Sequence, residues 1–256
     1  MIPAKTTERR EFYSSLAPYY DQIYGFIDYR KQARLFDILF KRFGSSGGKK
    51  LLDLCCGTGS HMVYLKELGY VPTGFDISAD MLAVARQKLP YTPLIQGDLR
   101  DLKLSERFDF ISCWFNSILY SRPKEVFMRT VKQVWAALDP GGVFLFDVVD
   151  KRIGIGAAEK TYESCESGIE ITFRPRWFYR GTGEDLELVI RFTFNGKDGV
   201  KEWVDRHLLC ALTFAEVEEM MRSIGFETSW FDKNYEAPVA RAGDGYRSIV
   251  VCKKTE

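Results

Sequence analysis

The sequence predicts an α/β chain built on a Rossmann-like, doubly wound, mostly parallel seven-stranded sheet, with an antiparallel β insertion after strand five. Three observations carry that expectation. Short apolar runs alternate with helical periodicity between Lys50 and Val149, the pattern of parallel βαβ units. The first run, LLDLCCGTGS, stops at a glycine-spaced turn that opens a helix, and further acids, Asp76 and Asp98, stand where the next two strands end. From about Asp150 the rhythm changes to long alternating runs separated by glycine-containing turns, as antiparallel hairpins require.

Tyr13 to Tyr24 and Asp28 to Phe43 read as helical, the second by apolar residues at Leu35, Phe36, Leu39 and Phe40. GSSGG, residues 44–48, is a short break. KLLDLCC is a buried strand, followed by a helix from Thr58 to Leu68 that Gly69 ends. VPTGFDI is the second strand, and Ser78 caps a helix to Leu89. TPLIQGD and FDFISCWF are strands three and four. A helix from Arg122 to Leu138 stops at DPGG, and VFLFDVV is strand five. GIEITFRPRWFYR, EDLELVIRFTF and VKEWVDRHLLCAL form the insertion, with Asn195-Gly196 and Asp198-Gly199 as hairpin signals. Thr213 and Glu216 make a capping-box pattern, Gly225 stops that helix, and ETSWFD and YRSIVVCKK close the sheet. The organisation is a helical cap over 1–48, a ligand-binding core over 49–150, a β insertion serving as a lid over 151–212, and a closing helix and strands over 213–256.

The 256 residues hold 36 lysines and arginines against 35 aspartates and glutamates. That balance gives no electrostatic footprint for nucleic acid, so none is expected as a partner. No apolar stretch approaches the roughly 20 residues of a membrane span, and the N-terminus has no signal-peptide core. Six cysteines lack metal-type spacing and only two histidines are present. Free thiols, no metal and a cytoplasmic location are expected.

The turn at Gly57 and Gly59 admits three ligand classes. A dinucleotide fingerprint wants a third glycine where Met62 stands, and a P-loop wants a Gly-Lys-Ser/Thr sequence that is missing. What remains is Asp53 inside the strand, two glycines, and a helix N-terminus that favours an anion. A zwitterionic amino acid would satisfy the amides and the carboxylate together. Asp76 can accept from a ribose diol. Asp98 can accept the exocyclic amine of adenine, with the Leu99 amide donating to a ring nitrogen and Ile77 and Met81 offering apolar faces.

Taken in order, LLDLCCGTGS, GFDIS, QGDLRDL, FDFISCWFNSILY and LDPGGVFLFDV resemble a class I S-adenosylmethionine-dependent methyltransferase over residues 50–150. The resemblance implies S-adenosyl-L-methionine as cofactor and S-adenosyl-L-homocysteine as product. It places Asp53, Cys55, Gly57, Thr58 and Gly59 at the methionine part, Asp76 at the ribose with Ile77 and Met81 beside the base, and Gly97, Asp98 and Leu99 at the adenine. Cys55-Cys56 departs from the small residues common there. The N-terminal segments and the β insertion are similar to those of glycine and deoxysugar amino-group N-methyltransferases. That likeness implies Tyr20 and Tyr29 bordering the cofactor and the insertion roofing a small-molecule acceptor, with N-methylation favoured over O-methylation.

Tyr20, Trp114, Phe115 and Tyr120 are the aromatic candidates beside a sulfonium. Asn116 is placed to orient an acceptor. His207 is a candidate base, with Asp205 on its strand face to fix the tautomer; the competing reading is a structural histidine. His61 reads as surface polar or as near the cofactor by accident. Arg174, Arg176 and Arg180 are either an anion-binding wall or a wet outer face over aromatic residues, the second being favoured, with Pro175 marking an edge. Alternatives are an RNA or protein methyltransferase, a dinucleotide oxidoreductase using NAD(P), and a cofactor-binding protein without turnover. Monomer and homodimer are both compatible with the sequence.

Overall fold

The computed structural model describes residues 11–156, 160–197, 199–233, 238–241 and 245–255. Its central sheet has seven strands: β1 (Lys50–Leu54), β2 (Val71–Asp76), β3 (Leu94–Gln96), β4 (Phe108–Cys113), β5 (Leu138–Val149), β10 (Phe226–Asp232) and β11 (Arg247–Lys254). Their order is β10-β11-β5-β4-β1-β2-β3. β3, β2, β1, β4 and β5 run parallel, and β11 lies antiparallel to both its neighbours. The expected doubly wound sheet is therefore present. The order reverses between β1 and β4, and their carboxyl ends are where such sheets hold ligands.

The helices follow their local chemistry. Asp28 caps α2 (Tyr29–Phe43) by accepting from the Lys31 amide. Ser78 caps α4 (Ala79–Lys88), as expected. Thr213 and Glu216 complete a reciprocal capping box on α7 (Phe214–Ile224), and Gly225 ends it at φ 111°. α3 (Ser60–Glu67) and α5 (Lys124–Ala137) fill the remaining crossovers. The N-terminal expectation needs correction. Instead of one helix from Tyr13 to Tyr24 there are 3-10 turns at Glu11–Tyr13 and Ala17–Tyr19, then the single turn α1 (Tyr20–Ile23). Pro18 has no amide to continue a ladder.

A small residue is needed where α3 crosses the sheet, and the strand supplies it. A Cβ at Gly74 of β2 would lie 2.8 Å from the Met62 methyl and 2.8 Å from Cys56 Sγ. Met62, fully buried, takes the volume that a third glycine would leave open. Gly74→Val is accordingly expected to destabilise the chain by about 1–3 kcal/mol through overpacking, read as a lower urea midpoint at unchanged slope.

The insertion opens with the single turn α6 (Ile153–Gly156) and forms a separate antiparallel sheet, β6-β7-β8-β9. Three strands were expected: β7 (Ile169–Tyr179), β8 (Asp185–Gly196) and β9 (Gly199–Cys210). The fourth, β6 (Tyr162–Glu166), has no apolar alternation to announce it. It joins β7 through Ser167 and Gly168, both at positive φ as a type I′ hairpin demands. Asn195 and Gly196 stay within the strand, paired to Val200 and Gly199, so the turn falls after them. Asp198 lies outside the described residues. Pro175 sits on β7 beyond the reach of β6, where its missing amide has no strand to bond.

The cap and the insertion pack on each other. Phe12, Leu16, Tyr20 and Ile23 share a buried cluster with Phe173, Ile190 and Phe192, and with Met81 of α4. The Phe12 amide donates to the Asp205 carboxylate of β9 at 2.7 Å.

Candidate functional site

A cleft opens at the carboxyl ends of β1 and β4. Tyr20 and Tyr29 wall it from the cap side, and Trp114 and Phe115 from the end of β4. Asp53, the loop from Cys55 to Thr58, Ser60 and His61 form its floor. Tyr20, Tyr29, Asp53, Cys55, Gly57, Thr58, Trp114 and Phe115 are thereby brought together.

The loop is built on left-handed backbone. Cys55, Gly57 and Gly59 lie at φ 56°, 55° and 75°, and a Cβ at Gly57 would meet no atom within 4 Å. Gly57 thus borders open space, where a side chain would intrude on a ligand. Asp76 holds the loop: its carboxylate accepts from the Gly57 amide at 2.9 Å and from the Ser78 amide at 2.8 Å. Burial raises its pKa, partly opposed by those backbone bonds.

Asp53 is 2% exposed and accepts from Ser112 Oγ at 2.7 Å. Burial pushes its carboxyl up to about 7, which the Ser112 bond only partly offsets. Between the ordinary carboxylate range, roughly 4, and about 7, the folded chain binds a proton that the unfolded chain has lost. This group's contribution to stability therefore falls as pH rises through that window. A cation placed against Asp53 would reverse the penalty.

Two wall atoms have no partner. Tyr29 Oη and Trp114 Nε1 are buried without a hydrogen bond, a condition that a ligand's acceptor atoms would relieve. Trp114 itself is fixed by Phe36, whose ring stacks at 3.5 Å and 1°. Behind this wall the Asn116 amide donates to Asp147, and Asp147 pairs with Lys233. Asn116 is itself buried at positive φ, with Oδ1 unpartnered.

The other expected residues stand farther out. Asp98 caps the turn Leu99–Asp101 and is held by Arg100, with Nη2 to Oδ2 at 2.5 Å. A Cβ at Gly97 would strike the Phe75 ring at 2.5 Å, so glycine is required there. Leu99 is buried in the main core. Ile77 is 57% exposed, whereas Met81 is 1% exposed beneath the cap, so the two do not offer equal faces. His207 is fully buried at the seam of cap and insertion, with Nδ1 2.9 Å from Tyr120 Oη. Asp205, on the same strand, accepts from the Phe12 amide.

The surface reading of His61 is overturned. It is buried, lines the cleft, and meets Gln32 Oε1 at 2.7 Å; burial pulls its pKa down to about 3. Arg174 is half-buried and Arg176 and Arg180 exposed, with Phe173 and Trp177 buried on the opposite face of β7.

One network was not foreseen. Asp21 of α1 accepts from Thr58 Oγ1 at 2.6 Å and Ser60 Oγ at 3.0 Å, and its other oxygen meets Lys88 Nζ at 2.7 Å. It pins the cap to the glycine loop, and nothing local in YYDQIY marks that role. Asp147 did carry a signal, an acid inside the apolar run FLFDVV, as Asp53 does in LLDL.

Residues 51–142 match a family model described as a methyltransferase domain. A dTDP-3-amino-3,4,6-trideoxy-α-D-glucopyranose N,N-dimethyltransferase of Streptomyces venezuelae is 29% identical over 187 residues, 71% of this chain and 77% of that protein. A dTDP-3-amino-3,6-dideoxy-α-D-glucopyranose N,N-dimethyltransferase of Streptomyces fradiae is 34% identical over 120 residues, 47% of each chain. The crystal structure of Streptomyces venezuelae DesVI superposes with a TM-score of 0.78 at 25% identity, covering 93% of this chain and 98% of that one.

Proposed function

We propose that this chain, a class I S-adenosylmethionine-dependent methyltransferase acting on a small-molecule amine, takes as its acceptor the amino group of a nucleotide-linked deoxysugar. The amino-sugar N,N-dimethyltransferases it resembles support that acceptor class. The observation that carries the reading is the roof: an aromatic cap sealed to the insertion sheet over the cleft. Such an enclosure admits a small molecule and excludes a folded RNA or protein.

The cleft fits the cofactor. The open side of Gly57 accommodates an amino-acid end, Asp53 suits its ammonium, and the orphaned Tyr29 Oη and Trp114 Nε1 await polar atoms. S-adenosylmethionine supplies an activated methyl group on a sulfonium. The chain supplies position and a dry, aromatic surround, in which a cation lies favourably against ring faces. Tyr20 faces the cleft, and the Tyr24 ring stacks on Phe115 at 5.2 Å to close its side. Asp76 would stand at the ribose and Asp98 at the adenine edge. Asn116 would orient the acceptor from beyond the β4 tip.

Because Asp53 must be ionised to meet an ammonium, cofactor affinity is expected to rise as pH passes through about 7. Calorimetric titrations near pH 6 and pH 8 should show that increase in the wild type and a flat response in Asp53→Asn. The acceptor class is tested by comparing kcat/KM for dTDP-3-amino-3,6-dideoxyglucose, its 3-hydroxy counterpart, the free amino sugar and glycine. Preference for the nucleotide-linked amine is expected. Preference for glycine or for the hydroxyl compound would overturn it.

A further inference from the structure

We propose that Tyr120 takes the proton from the acceptor amine while passing its own phenolic proton to His207. The inference rests on the amine-acceptor reading and assigns the route by which that amine becomes a nucleophile.

Tyr120 ends the 3-10 turn Ser117–Tyr120, which follows directly from the β4 tip that gives Trp114 and Phe115 to the cleft. Its hydroxyl lies between two partners, Tyr13 Oη at 3.1 Å and His207 Nδ1 at 2.9 Å. Tyr13 comes from the cap and His207 from β9, so the three groups meet only when cap, insertion and core are assembled. The Tyr13 ring, which meets Tyr120 edge-on at 6.3 Å, also lies 6.5 Å from the ring of Tyr20 in the cleft wall, so the Tyr120 hydroxyl stands one aromatic ring behind that wall.

A phenolate is not the end of this route. Burial holds Tyr13, Tyr20 and Tyr24 well above the usual phenol range, so they stay neutral. Imidazole is the side chain that gains a proton near neutral pH. Its ring meets Tyr13 from the cap and Tyr120 from the β4 turn, each edge-on, while Asp205 shares its strand face and Leu188 stands opposite on β8. The transfer balances. One ammonium N–H bond and the phenol O–H bond break, a new phenol O–H and the Nδ1–H bond form, and the amine's lone pair is released. Acceptance at Nδ1 requires the resting imidazole to carry its proton on Nε2.

The test compares wild type, Tyr120→Phe and His207→Gln with dTDP-3-amino-3,6-dideoxyglucose as acceptor across the pH range. Each variant should lose about 100-fold in kcat/KM near neutrality. The deficit should close as pH passes the amine's own pKa, where free base is abundant. S-adenosylhomocysteine affinity should remain at the wild-type level in both, which separates this role from a fold defect. An equal loss at every pH, or no loss, overturns the relay alone. Failure of the wild type to methylate any amine overturns the acceptor reading, and the relay with it. Nitrogen-15 NMR of His207 gives a readout independent of turnover: the Nε2-protonated tautomer is expected, and an Nδ1-protonated neutral ring would contradict the proposal.

Discussion

Asp76→Ala is expected to weaken S-adenosylmethionine binding by about 100-fold or more. The carboxylate accepts from the Gly57 and Ser78 amides at 2.9 and 2.8 Å, so its removal frees the glycine loop and the start of α4 at once. Hydrogen bonds to a charged group contribute roughly 1.5–3 kcal/mol each, and losing a pair from the ribose diol, about 3–6 kcal/mol in total, corresponds to roughly 10²–10⁴ in affinity. The cofactor-free chain should lose little stability, because the carboxylate is buried at a cost that its pKa, raised by burial, registers. Calorimetry and urea unfolding on the same sample separate the two effects. An affinity within a few-fold of wild type, at unchanged stability, would show that Asp76 neither braces the loop nor meets the ribose.

Asp147→Ala should be the most destabilising single change at the site, by about 3–5 kcal/mol, since it leaves the largely but not fully buried Lys233 charge without its partner. Asp147 is fully buried at the carboxyl half of β5 and also receives the Asn116 amide at 3.0 Å. That amide sits in a left-handed stretch, Phe115 at φ 58° and Asn116 at φ 61°, which needs a fixed acceptor to hold it. Its release would let Phe115 leave the cleft wall, so cofactor affinity should fall along with stability. Combining the change with Lys233→Met should restore most of the stability but not the loop bond. Equal stability of the single and double variants would show that the ion pair is not what holds this corner.

The core was legible because its signals are local and periodic. LLDLCC, GFDIS and the capping box at Thr213 each combine an apolar period with a terminator, and the structure places strands and helices there. The exchange of a third glycine for Met62 was legible only as an exclusion. Its complement, Gly74, lies on the following strand β2 rather than on the helix itself, and no local pattern links the two. The N-terminal segment misled for the opposite reason. Its aromatic residues have helical spacing but serve a tertiary surface, packing on Phe173 and Phe192 of the insertion. β6 escaped because YESCE is polar on both faces, and only the hairpin turn after it forces the pairing.

At the site, residues on the strand ends were readable, since an acid closing an apolar strand is anomalous unless it binds something. The links between distant elements were not. Asp21 to Thr58, and Tyr13 through Tyr120 to His207, join residues 37, 107 and 87 positions apart in sequence. The sequence offered Asp205 as the partner of His207 because both share a strand face. The fold adds two partners that strand spacing does not show: the cap's Phe12 amide on Asp205, and a phenol from the β4 turn on a ring nitrogen of His207.

Incubation with S-adenosylmethionine bearing a trideuterated methyl group and dTDP-3-amino-3,6-dideoxyglucose, followed by tandem mass spectrometry, tests the central claim most directly. The expected product carries the deuterated methyl on the sugar nitrogen. Label on a sugar oxygen, or in RNA or protein supplied alongside while the amine stays unmodified, would contradict it.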